Sequence, residues 1–160
     1  MMKKIYHYTY KDIIGEIERD GKLLTEKQVW DKNLVFARED DCPHEIKEMI
    51  FQRNPIMQDA FKLIGSFVWF CENPNGCGTA TGVDVSFQCY AEQIGAIRWC
   101  DYKKRFKKFS DAKNHCVRLD EITREKGDNP NKYWVVPRSV SLKHCKKNEM
   151  VKSDFLPLVA

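Results

Sequence analysis

The order of elements in the chain predicts an α+β fold on a mixed or antiparallel sheet with flanking helices. Three observations predict it. Phe67-Val68-Trp69-Phe70-Cys71 is a continuous β-prone run too short for a buried helix. Two stretches, Tyr10 to Arg19 and Ser110 to Glu125, repeat their apolar residues at helical spacing. Helical segments dominate the first half, and most short β-prone runs follow later. With 160 residues, the chain fits one domain over 1–160.

Taken in order, Ile5 to Thr9 reads as a strand, and Thr9 is placed to cap the helix over Tyr10 to Arg19. Ile13, Ile14 and Ile17 share one face of that helix, and Asp20-Gly21 stops it. Leu34 to Phe36 reads as a short strand. Pro43 opens a helix through Phe51, Arg53-Asn54-Pro55 breaks it, and a second short helix covers Gln58 to Leu63. After the Phe67–Cys71 strand, Glu72 to Gly78 is turn material, followed by strands near Val83 to Tyr90 and Ala96 to Trp99. Ser110 caps the long helix, which presents Ala112, Cys116, Leu119 and Ile122 on one face and ends at Gly127. Tyr133 to Val136 and Val140 to Leu142 complete the strands.

Composition narrows the function classes. An apolar share of 42% supports a packed core, so global disorder is excluded. The longest apolar window, Leu63 to Cys71, is far short of the roughly 20 residues a membrane helix needs. No export signal is read at the N-terminus, and a cytoplasmic setting with no membrane partner is expected. Seven cysteines without a CxxC pair read as reduced thiols, and no His/Cys spacing suits structural zinc. A net charge of +4 permits an anionic partner.

Three constellations carry unusual side chains. Tyr6-His7-Tyr8-Thr9 closes the first strand and brings an imidazole to the rim of the sheet. In Val68-Trp69-Phe70-Cys71-Glu72 the two aromatic rings alternate in direction, so one packs the core while the other is free to stack on a planar ring. Tyr102-Lys103-Lys104-Arg105-Phe106-Lys107-Lys108-Phe109 interleaves five cations with three aromatics. That run suits phosphates and bases, and equally a solvated loop anchored by its rings.

The first two constellations together resemble the ADP-ribosyltransferase-like superfamily, including its NAD-dependent, nucleic-acid-modifying toxins. The resemblance rests on His7-Tyr8-Thr9, on the helix ending in Gly21-Lys22-Leu23, and on Val68-Trp69-Phe70-Cys71. It covers the first half of the chain and the Tyr133 to Leu142 strands, and it implies a small split sheet around an NAD cleft. His7 would then bond a ribose hydroxyl of NAD, the Tyr8 backbone would hold the nicotinamide amide, and Thr9 would steady the turn. Trp69 would stack, with Phe70 packed behind it. The family carries a glutamate at the start of a late strand, where this chain has Tyr133; Glu72 is the local substitute, ahead of Glu121 and Glu125.

The activity so implied is NAD-dependent ADP-ribosyl transfer to a macromolecular acceptor, nucleic acid or protein. Lys103, Lys104, Arg105, Lys107 and Lys108 would recruit that acceptor. Two alternatives stand beside it. One is an inert nucleotide-, nucleic-acid- or partner-binding module on the same scaffold. The other is an RNA 2'-phosphotransferase-like enzyme drawing on Arg98 and Arg138. All NAD readings share one geometric expectation, that the His7 imidazole and the Trp69 indole face each other across a single pocket.

Overall fold

The computed structural model describes residues 1–78 and 82–150. Among these residues eight strands form two sheets: β1 (Lys4–Thr9), β2 (Lys22–Leu23), β3 (Val68–Cys71), β4 (Val85–Tyr90), β5 (Ile97–Arg98), β6 (Tyr133–Val136), β7 (Val140–Ser141) and β8 (Lys146–Glu149). The main sheet runs β5-β6-β3-β1-β4-β8, and β2 pairs with β7 in a separate two-stranded sheet. Every pairing is antiparallel. The helices are α1 (Ile14–Asp20), α2 (Glu26–Ala37), α3 (His44–Ile64), α4 (Ala91–Ile94), α5 (Trp99–Tyr102) and α6 (Ser110–Glu125). The α+β architecture, antiparallel sheet and flanking helices follow the sequence expectation.

The main sheet is apolar on both faces, so each needs a cover. One face presents Ile5, Val68, Phe70, Val85, Phe87, Trp134 and Val136, packed against Ile14 and Ile17 of α1 and against Leu23 and Val140 of the small sheet. The other presents Trp69, Cys71, Tyr133 and Val135, packed against Ile64, Trp99, Tyr102, Ala112 and Cys116 from α3, α5 and α6. A third, smaller cluster of Leu34, Ala37, Ile50 and Trp30 joins α2 to α3.

Several local expectations are corrected. Leu34 to Phe36 is not a strand but part of α2. Thr25 opens that helix with a reciprocal capping box: its Oγ1 accepts from the Gln28 N–H at 3.3 Å, and Gln28 Oε1 accepts from the Thr25 N–H at 2.8 Å. Leu34 and Ala37, three apart, then bury one stripe. Arg53-Asn54-Pro55 does not break a helix; α3 runs through Pro55 for 21 residues. Its first half is held on α2 by Ile50 and its end on the sheet by Ile64, which offsets the hydrogen bond that proline forfeits.

Thr9 does not cap α1. It is buried within β1 opposite Val85, and a 3-10 turn over Lys11–Ile13 precedes the helix. Gly21 does stop α1, in the left-handed conformation at φ 68°. Ile97–Arg98 alone forms the strand expected over Ala96 to Trp99, since Trp99 already belongs to α5. β8, Lys-Lys-Asn-Glu, has no apolar alternation to announce it. Its pattern is that of a charged sheet edge.

Candidate functional site

The site is set by the pleat. Tyr6 lies opposite Cys71 in the antiparallel β1/β3 pair, so His7 falls opposite Phe70 and Tyr8 opposite Trp69. The ring contacts agree: His7 and Phe70 are 5.7 Å apart between centroids. Trp69 instead packs on Trp99 at 4.9 Å and on Tyr133 at 6.2 Å, on the other face. The expected shared pocket of dinucleotide size is not formed: the two rings pack on different partners, and the cavity that both residues do line is small, about 190 Å³.

On the Trp69 side, α3, α6 and the sheet enclose a cavity of about 480 Å³, within the usual range for small-molecule sites. Trp69, Trp99 and Tyr133 form an aromatic wall, with Glu26, His115 and Lys126 also lining the space. His115 and Lys126 lie eleven positions apart on and just beyond α6, so the cavity extends about 16 Å along that helix.

Glu26, at the first position of α2, was invisible to motif reasoning. The capping box signals the helix start in sequence, but only the fold brings this carboxylate to the indole. Its Oε1 accepts from Trp69 Nε1 at 2.9 Å, and its backbone N–H donates to the Phe67 carbonyl at 3.2 Å. The residue is exposed at the cavity's edge, yet surrounding protein desolvates its carboxyl and raises the pKa. The Trp69 indole N–H and a separate backbone hydrogen bond from Phe67 to the carboxyl act in the opposite direction.

Trp99 is buried and held from behind. Its Nε1 donates to Asp120 Oδ1 at 2.7 Å, and the other carboxylate oxygen accepts from Lys103 Nζ at 2.6 Å. That contact takes Lys103 out of any free cationic surface. Lys104 pairs with Asp101 at 3.1 Å, and Arg105 lies over the Tyr102 ring at 4.4 Å. Phe106 anchors the run on Tyr102, whereas Phe109 is 64% exposed. Lys107 and Lys108 remain exposed, with no partner among the described residues.

On the opposite face His7 and Thr9 line a smaller cavity of about 230 Å³, where Lys32 bridges Glu16 at 3.1 Å and Asp20 at 2.6 Å. His7 Nδ1 lies 2.8 Å from the Trp69 carbonyl. Burial lowers its pKa, so the ring is neutral and Nδ1–H is the donor that this carbonyl requires. Tyr8 is tied to the following loop: its hydroxyl donates to the Asn73 carbonyl and accepts from the Gly76 N–H at 3.0 Å.

Glu72 lies apart from the aromatic cavity. It forms an ion pair with Lys3 at 2.6 Å and accepts from Trp134 Nε1 at 3.2 Å. Burial opposes its charge, but those two partners outweigh it and hold the carboxyl below its ordinary range. Arg98 stacks over the Trp134 ring at 5.0 Å, and Arg138 donates to the Ile94 carbonyl at 2.9 Å. No group of three or more His, Cys, Asp or Glu side chains with metal-binding geometry occurs among the described residues. Among them, too, no helix is long and apolar enough to cross a membrane. No family model, curated protein or solved structure matches this chain.

Proposed function

We propose that the chain binds NAD in the aromatic cavity, with the nicotinamide ring on Trp69, and transfers ADP-ribose to a macromolecular acceptor. The observation that carries this reading is the indole of Trp69 and the carboxylate of Glu26 meeting in one cavity of nucleotide size. Cleaving the nicotinamide–ribose bond develops oxocarbenium charge on the sugar, and a desolvated carboxylate beside the ring is suited to stabilise it. Glu26 takes the part that Glu72 had in the sequence reading, because Glu72 is committed to Lys3 and Trp134. His7 becomes a positioning residue: it holds the Trp69 backbone from the far face. Lys126 supplies a cation for the diphosphate, and Lys107 and Lys108 are left to meet an anionic acceptor.

Titrating NAD into the protein while following tryptophan fluorescence tests binding, since Trp69 and Trp99 both line the cavity. Nicotinamide release tests turnover. Glu26→Gln is expected to keep binding and to slow release by about 10²-fold or more, the usual loss for one electrostatic stabiliser. No quenching by millimolar NAD would remove the reading altogether. Binding without nicotinamide release, in wild type and variant alike, identifies an inert nucleotide-binding module. The existing engagement of the Glu26 carboxyl by the Trp69 N–H is what favours that second reading.

A further inference from the structure

All seven cysteines are free thiols, but they are not equivalent. Gln88 of β4 lies opposite Lys146, the first residue of β8, and extending that register by one residue, past the start of β8, brings Cys89 to Cys145. Directly opposed residues of an antiparallel pair have Cα atoms about 4.5–5.5 Å apart, within the span a disulfide bridges. The two Sγ atoms are 3.2 Å apart, so a bond needs only a small approach of the sulfurs.

We propose that Cys89 and Cys145 form a thiol-modification site, with Cys145 attacking a low-molecular-weight disulfide and Cys89 resolving the adduct. Access sets the order of events. Cys89 is 1% exposed, in the apolar core on one face of β4, while Cys145 is half-buried in the extended segment just before β8. The hydrogen bond from Cys89 lowers the Cys145 pKa, which favours its thiolate, while the Cys89 thiol is pushed up.

In the first step Cys145 Sγ, having lost its proton, bonds to one sulfur of the small disulfide. The S–S bond of the reagent breaks, and the departing sulfur leaves as a thiolate that takes up a proton. In the second step Cys89 Sγ, deprotonated, attacks Cys145 Sγ and expels the second small thiol, which is likewise protonated. Two protein thiols are oxidised and one reagent disulfide is reduced to two thiols. The product staples the polar edge strand β8 to β4 and closes a loop between positions 56 apart, which restricts the unfolded chain.

The test uses the full chain and oxidised glutathione, followed by alkylation under denaturing conditions, intact mass and a non-reducing peptide map. The expected result is two fewer alkylated thiols than the seven of the reduced chain, a single linked peptide joining Cys89 to Cys145, and reversal by dithiothreitol. The thermal midpoint of the oxidised protein should rise. Cys89→Ser should arrest the reaction with glutathione retained on Cys145. Three outcomes would overturn the proposal: a linkage confined to other cysteines such as Cys71 and Cys77, a wild-type chain that keeps glutathione on Cys145 without cross-linking, or seven thiols still alkylated. Because the wild-type peptide map decides the matter, a poorly folding variant does not blunt it.

Discussion

Asp120→Ala measures how far the aromatic wall depends on a charge buried behind it. Asp120 is 6% exposed and accepts from Trp99 Nε1 at 2.7 Å and from Lys103 Nζ at 2.6 Å. Truncation leaves the indole N–H in the core without its acceptor, which costs about 1–3 kcal/mol. Lys103 retains 25% side-chain exposure and can turn to water, so its share is discounted to about 0.5 kcal/mol. The expected loss is therefore about 1.5–3.5 kcal/mol, or roughly 3–14 °C in midpoint for a chain of this size. Urea unfolding followed by tryptophan fluorescence and far-UV circular dichroism, with an unchanged m-value, would read it. Since Trp99 packs 4.9 Å from Trp69, NAD affinity should weaken in the same variant. A loss below about 0.5 kcal/mol would show that the buried network contributes little, and the structural reading of Lys103 would fail with it.

Other perturbations separate the remaining roles. The raised pKa of Glu26 means that the folded state binds more protons than the unfolded one between the ordinary value of 4.5 and the raised value. Wild-type stability relative to Glu26→Gln should therefore fall as pH rises through that window, then level off; a flat difference counts against a desolvated carboxyl. Glu72 behaves oppositely, since its lowered pKa gives stability present above 4.5 and lost as pH falls through the depressed value. Glu72→Gln should cost about 1 kcal/mol, because Lys3 is 44% exposed, and should leave nicotinamide release unchanged. Replacing Lys107 and Lys108 by Gln should lower the salt slope of any nucleic-acid binding by about two, and an unaltered slope excludes them from the contact. Pro55→Ala should stabilise α3 by about 1–3 kcal/mol by restoring the hydrogen bond to the Phe51 carbonyl.

What was legible in the sequence was whatever local chemistry decides. Tyr133 to Val136 is strand to the residue, because four consecutive β-prone side chains are buried on both faces. The end of α1 was readable from Gly21 and that of α6 from Gly127, since both adopt the left-handed backbone that glycine favours. The errors arose where tertiary contacts override propensity. Val35 and Phe36 are good strand formers, but the Thr25–Gln28 cap and the burial of Leu34 and Ala37 commit them to helix. Pro55 reads as a break until both ends of α3 are seen anchored in different clusters.

The candidate site failed to be legible for a different reason, one of parity. His7 and Trp69 are each plausible ligand residues, and their strands are indeed neighbours. Side chains alternate with a period of two, so whether two such residues meet depends on a register that neither strand encodes alone. The Tyr6–Cys71 pairing gives the two rings different packing partners and leaves only a small cavity of about 190 Å³ lined by both residues, where a shift of one residue would have joined the rings on one face. The same register that separates the indole from the imidazole turns it toward Trp99, Tyr133 and the Glu26 carboxylate. His7 remains connected to that cavity through the backbone, because its Nδ1–H holds the carbonyl of Trp69 itself. His7→Ala should therefore weaken NAD binding by loosening the wall rather than by removing a ligand contact. His7→Asn, which retains a side-chain N–H, should recover part of the loss; recovery by neither affinity nor fluorescence would separate the two faces completely.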